Sequence, residues 1–219
     1  MIAESFRVPF ADEGWIKTVL VGSVLSLLGF LIVPALLVNG YLLRVLGAGA
    51  ASESELPGFD DWGGLLVDGL KLVAVVFAYV LGALFLGFVG SIAIAAVGSA
   101  VGAGEAARLL TFLFGLPLLL VAAYLLPAAL TNVARTGRVA GAFDVGVLRQ
   151  AATSSSYLVA VLASAVIAVT LGTIASLLTL VLVGVAVAFY LQLVVYYLLG
   201  RGVGEAVAVE RSEVDTQPV

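Results

Sequence analysis

Asp60, Asp61, Asp68 and Lys71 fall within twelve residues of one another in a chain where charge is scarce, and they are the densest group of reactive side chains it has. Three carboxylates so spaced could hold a cation or a polar substrate, since hard cations take oxygen ligands. The same residues could instead cap and brace a helix at a membrane surface, because a carboxylate is stabilised at a helix N-terminus. Asn39, Asn132 and Gln192 are the other candidates, set in or at the ends of long uncharged stretches. An unpaired amide in hydrocarbon costs several kcal/mol, so each is expected to hydrogen-bond across to a neighbouring helix, with a polar pore lining as the rival use.

The chain has no Cys and no His, which removes thiolate chemistry, disulfides, histidine-ligated haem and nearly every zinc site. Only carboxylates remain as metal ligands, and no pairing of them suited to acid–base work is visible. The expectation is therefore of no catalytic residue, no cofactor-binding residue and no metal ligand, and of a protein that is not an enzyme. A net charge of −4 leaves no footprint for nucleic acid.

The elements that must position these residues are written in the spacing of the charges. Residues 18–43, 72–104, 109–134 and 150–200 contain no Asp, Glu, Lys or Arg. A crossing helix needs roughly 20 apolar residues, and runs of this length have no soluble explanation. Composition agrees: 63% of residues are hydrophobic and 11% charged, against about 45–50% and about 25% in soluble domains. Mean hydropathy is +1.22. The fold class that follows is all-α, a polytopic transmembrane helix bundle in one domain, with the lipid bilayer as its main partner.

In detail, residues 1–17 read as an amphipathic lead-in, with Asp12 placed to cap a helix and Trp15 to sit at the interface. Residues 18–200 read as the bundle, with spans near 18–43, 73–99, 109–132, 156–171 and 174–199. The first apolar run is too long for a signal peptide and is expected to be a retained anchor. The run 150–200 would reach about 76 Å as one helix, so it must fold back, most readily at Gly172-Thr173, with Gly184 as a kink instead. Phe59, Trp62, Leu66 and Leu70 share one helical face opposite Asp61, Asp68 and Lys71, which reads as an interfacial helix over 59–71 lying flat on the bilayer. Pro34, Pro117 and Pro127 are expected to kink their helices. Gly98 and Gly102 form a small-residue pair for tight helix contact, within the bundle or between subunits. Residues 202–219 read as a disordered acidic tail.

Five spans put the two chain ends on opposite faces. Counting basic residues, three (Arg7, Lys17, Arg108) fall on the side of the N-terminus and seven on the other, so the N-terminus is expected outside and the C-terminus in the cytoplasm of a cell-membrane protein. An internal duplication also shows. Pro34, Asn39 and Arg44 are echoed by Pro127, Asn132 and Arg135; Phe59-Asp60 by Phe143-Asp144; and Tyr79 by Tyr157. The implied unit is a span, an interfacial helix and a second span, repeated in parallel.

The stretch Asn39-Gly-Tyr-Leu-Leu-Arg44, followed by Leu56-Pro-Gly-Phe-Asp-Asp-Trp-Gly63 and Asp68-Gly-Leu-Lys71, resembles the archaeal domain-of-unknown-function family numbered 4013, common in haloarchaea. Pro9-Phe10 and Trp15-Ile16-Lys17 carry the same likeness, which covers about residues 6–200. It implies an integral membrane protein and transfers no activity. With no ionisable residue in any of the four runs, an ion-coupled transporter is disfavoured. A structural or interaction component of the membrane, assembling with itself or with a membrane-protein partner, asks least of these residues. A permease-like or lipid-handling protein is the alternative.

Overall fold

The structure is a computed structural model and describes residues 2–10, 14–178 and 183–215, with the side chains of all but 183 and 210–215. Among the described residues every regular element is a helix, with no strand. The helices are α1 (Ile2–Ser5), α2 (Trp15–Leu27), α3 (Ile32–Ala51), α4 (Trp62–Ala100), α5 (Gly104–Thr136), α6 (Val145–Thr153), α7 (Ser155–Leu178) and α8 (Val183–Asp215), with 3-10 turns at Val8–Phe10 and Val139–Phe143. Five of them, α3, α4, α5, α7 and α8, are long and apolar enough to cross a membrane.

Local chemistry explains most boundaries. Asp61 caps α4 by accepting the Gly64 N–H at 2.9 Å, and Asp144 caps α6 by accepting those of Gly146 and Val147. α5 stops at Gly137, whose φ of 69° suits a residue without Cβ. The first uncharged run is broken where a single span was expected. α2 ends at Leu27, the chain turns over 28–31, and Pro34 stands in the first turn of α3. A proline there has no N–H for the carbonyl of Phe30 and its ring clashes with it, which favours a break; at the start of a new helix the loss costs nothing. Pro117 and Pro127, by contrast, lie inside a continuous α5.

α3 is the central helix, touching α2, α4, α5 and α8. Its crossing with α4 is a backbone contact: a Cβ on Gly40 would lie 1.9 Å from the Leu65 carbonyl oxygen, and one on Gly69 would lie 2.0 Å from that of Leu36. Only glycine permits that approach. On its other flanks α3 packs Tyr41 and Val45 with Phe189, Leu193 and Tyr197 of α8, and Leu43 and Leu46 with Leu130 and Val133 of α5. The remaining helices form antiparallel hairpins. Gly98 of α4 faces Ala107 of α5, and Gly202 of α8 faces Tyr157 and Ala160 of α7.

Further expectations are corrected. Residues 59–71 are not a separate interfacial helix: Phe59 to Asp61 precede α4, and 62–71 are its first turns, because nothing between Lys71 and Leu72 interrupts the helical hydrogen bonds. The helix-like unit on the surface is α6 instead. Gly172-Thr173 is not a turn, since α7 passes through both to Leu178, and Thr173 spends its hydroxyl on the Val169 carbonyl. Residues 202–215 are helical where a disordered tail was expected. Val203, Ala206 and Val207 form an apolar face that packs on Ala128, Ala151 and Tyr157, which offsets the ordering cost. Gly98 and Gly102 do not act as one small-residue contact: Gly98 packs against Ala107 inside the α4/α5 hairpin, and Gly102 makes the turn between these helices with φ of 70°. Asp12 and residues 216–219 lie outside the described residues.

Candidate functional site

The acidic segment and Arg44 come together at one end of the bundle. Arg44 sits on α3 one turn past Tyr41, and its side chain is three-quarters buried. Its Nε donates to Asp68 Oδ2 at 2.9 Å and its Nη2 to Asp61 Oδ2 at 2.9 Å. Lys71 Nζ, one turn along α4, donates to the other Asp68 oxygen at 2.9 Å. Two cations and two carboxylates thus close a neutral cluster that fastens α3 to the start of α4. Charge-assisted bonds of this kind are stronger than neutral ones. The Gly64 N–H and then the Arg44 guanidinium hold the Asp61 carboxyl below its ordinary range.

This arrangement favours the bracing use of two of the carboxylates. Asp61 and Asp68 spend their oxygens on Arg44, Lys71 and a helix N-terminus, so they brace. Asp60 stands apart, exposed, 4.0 Å from Lys17. Among the described residues no three acidic side chains gather as a metal site would require. Phe59 is buried and stacked on Tyr41 with ring centroids 4.0 Å apart, while Trp62, half exposed, opens α4 beside it.

The amides behave differently from one another. Asn39 Nδ2 donates to the Ala35 carbonyl one turn back in its own helix, so it does not bridge helices as expected. Asn132 does reach another element: it is buried, and its Nδ2 donates to Gly141 in the 3-10 turn after α5 at 2.8 Å. Gln192 is exposed on α8 and not buried between helices. The arc of α8 that packs inward carries Phe189, Leu193, Val194, Tyr197 and Leu198, and Gln192 lies off it.

Beside the cluster opens a cavity of about 610 Å³, walled by the last turns of α3 and α5 and lined by Arg44, Glu53, Asp68 and Arg135. Sequence reasoning did not find it, because Glu53 and Arg135 are 82 residues apart and meet only where two parallel helices end. The available signal was Arg44 alone at the edge of an uncharged run, followed by more acids than bases.

A second tie joins distant parts of the chain. Arg201 pairs with Glu4 at 2.6 Å and with Glu205 at 3.2 Å. Tyr190 donates to the Phe6 carbonyl at 2.7 Å, and Tyr197 to that of Glu53 at 2.7 Å. Residues 2–10 therefore lie along α8, with Glu4 at the level of Arg201 and Phe6 at that of Tyr190.

An all-helical bundle with five long apolar helices and an ion-paired end defines a class: it fits a multi-pass membrane protein. The chain belongs to the family described as protein of unknown function, DUF4013, which matches it over residues 24–200. No curated protein and no solved structure matches it.

Proposed function

We propose that this protein is a structural or interaction component of the cell membrane, of archaeal origin, with no catalytic role. One observation carries the reading. In the most apolar stretch of α5 no residue is buried within the protein, and in that of α4 only 17% are. A helix that ends its folding this exposed is left to lipid and to neighbouring proteins. No Asp, Glu, Lys or Arg lies along residues 72–104 or 109–134 to handle charge.

A photo-crosslinking residue placed at Phe88 or Leu120, both exposed, tests this in native membranes. A discrete protein adduct supports the reading, whether from a second copy or another membrane protein. Lipid adducts alone at both positions overturn it. The cavity beside Arg44 and Arg135 favours a second reading, a permease-like or lipid-handling protein. Under that reading Arg135→Ala abolishes stabilisation by a solute or lipid that raises the Tm of the parent.

A further inference from the structure

The two basic residues that bracket the first uncharged run, Lys17 and Arg44, both pair with the same short acidic segment. Lys17 lies 4.0 Å from Asp60 and Arg44 lies 2.9 Å from Asp61, and these two aspartates are neighbours in sequence. A straight helix over 18–43 would part Lys17 and Arg44 by about 40 Å. We infer that α2 and α3 form a re-entrant hairpin with a lipid-facing tip, entering and leaving the membrane on the face that also holds Glu4 and Arg201.

Depth follows from length. From Lys17 to the turn, and from the turn back to Arg44, each arm is about 17–18 Å long, roughly half of a 30 Å hydrocarbon core. The tip is apolar, with Phe30 81% and Ile32 79% exposed, so acyl chains are its partner. Its backbone suits that setting. The turn amides of Leu28, Gly29 and Leu31 donate to Val24, Ser26 and Leu28, which removes donors that lipid could not satisfy.

With the hairpin returning, only α4, α5, α7 and α8 cross, an even number. The ion pair of Glu4 with Arg201 is then a contact on one face. Lys17, Arg44, Lys71, Arg135, Arg149 and Arg201 gather on that face, while Arg108 marks the opposite tip of the α4/α5 hairpin, which the positive-inside bias makes the outer one.

The inference rests on reading those four helices as crossings, and the experiment separates the two. Because the chain has no Cys, single-cysteine variants report directly to a membrane-impermeant maleimide, applied to intact cells and then after lysis. Ala3→Cys, Ser155→Cys and Ala208→Cys should react only after lysis, Glu105→Cys already in intact cells, and Phe30→Cys in neither until detergent is added. Reaction of Ala3→Cys and Ala208→Cys from opposite sides, or of Phe30→Cys in intact cells, overturns the re-entrant hairpin. Reaction of Glu105→Cys and Ser155→Cys from the same side overturns the crossings themselves.

Discussion

Arg44 shows how one side chain can set the role of three others. Placed where α3 meets α4, it pairs with a mostly buried Asp68 and an exposed Asp61 and leaves Asp60 to Lys17. Asp61 is held below its ordinary value of 3.8, first by the Gly64 N–H and then by Arg44. A carboxyl with a lowered folded pKa contributes stability that is fully present above the unfolded value and is lost as pH falls through the folded one. Asp61→Asn should therefore melt below the parent at neutral pH, and the gap between them should close as pH drops below about 3.8. Melting curves in lipid nanodiscs from pH 7 to pH 3 check this, and a gap that stays constant counts against the clasp. The motif around Asp60 and Asp61 was legible from its spacing. Its use was not, because the partner is 17 residues away on another helix.

Between elements, close approach of backbone matters more than side-chain fit. The α3/α4 crossing needs glycine at 40 and 69, where a Cβ would stand about as far from a carbonyl oxygen as a bonded hydrogen does. Gly69→Ala should cost roughly 1–3 kcal/mol, as overpacking does. Gly82→Ala is the control, since a Cβ there meets nothing within 4 Å, and it should be neutral or mildly stabilising because alanine is the better helix former. Equal losses from both variants in a thermal-shift assay would remove the special status of the crossing. The possible duplication of span, interfacial helix and span has only a partial counterpart in the helix order, since the first half has no separate interfacial helix. α3, a turn and α4 are answered by α5, a turn with α6, and α7, with Asp61 and Asp144 as the two caps. The echo is imperfect: Phe59 is buried against Tyr41, whereas Phe143 is half exposed against Tyr79.

Across the whole molecule, order is concentrated at one end. Buried aromatic and aliphatic side chains from α3, α4, α5 and α8 gather around Tyr41, Leu46, Val133 and Tyr197, while the far halves of α4 and α5 keep Phe85, Phe88, Leu113 and Leu120 exposed. The first region is protected by protein and the second by whatever surrounds it. Moving the protein from nanodiscs to detergent should raise hydrogen exchange far more over residues 92–112 than over 41–46. A uniform rise across both would contradict this division.

What the sequence determined by itself is the material of the protein: all-helical, apolar over four uncharged stretches, without thiol or imidazole, and a member of its family. Those properties are local, set by the cost of leaving backbone or charge in hydrocarbon, and they can be counted along the chain. Tertiary structure alone decided which charges meet and how many stretches return. Arg44 with Asp68, Glu4 with Arg201, and Lys17 beside Asp60 are pairings over long separations. The first uncharged run breaks between Leu27 and Ile32, just ahead of Pro34, and only the tertiary structure brings Lys17 and Arg44, on either side of that break, to neighbouring aspartates.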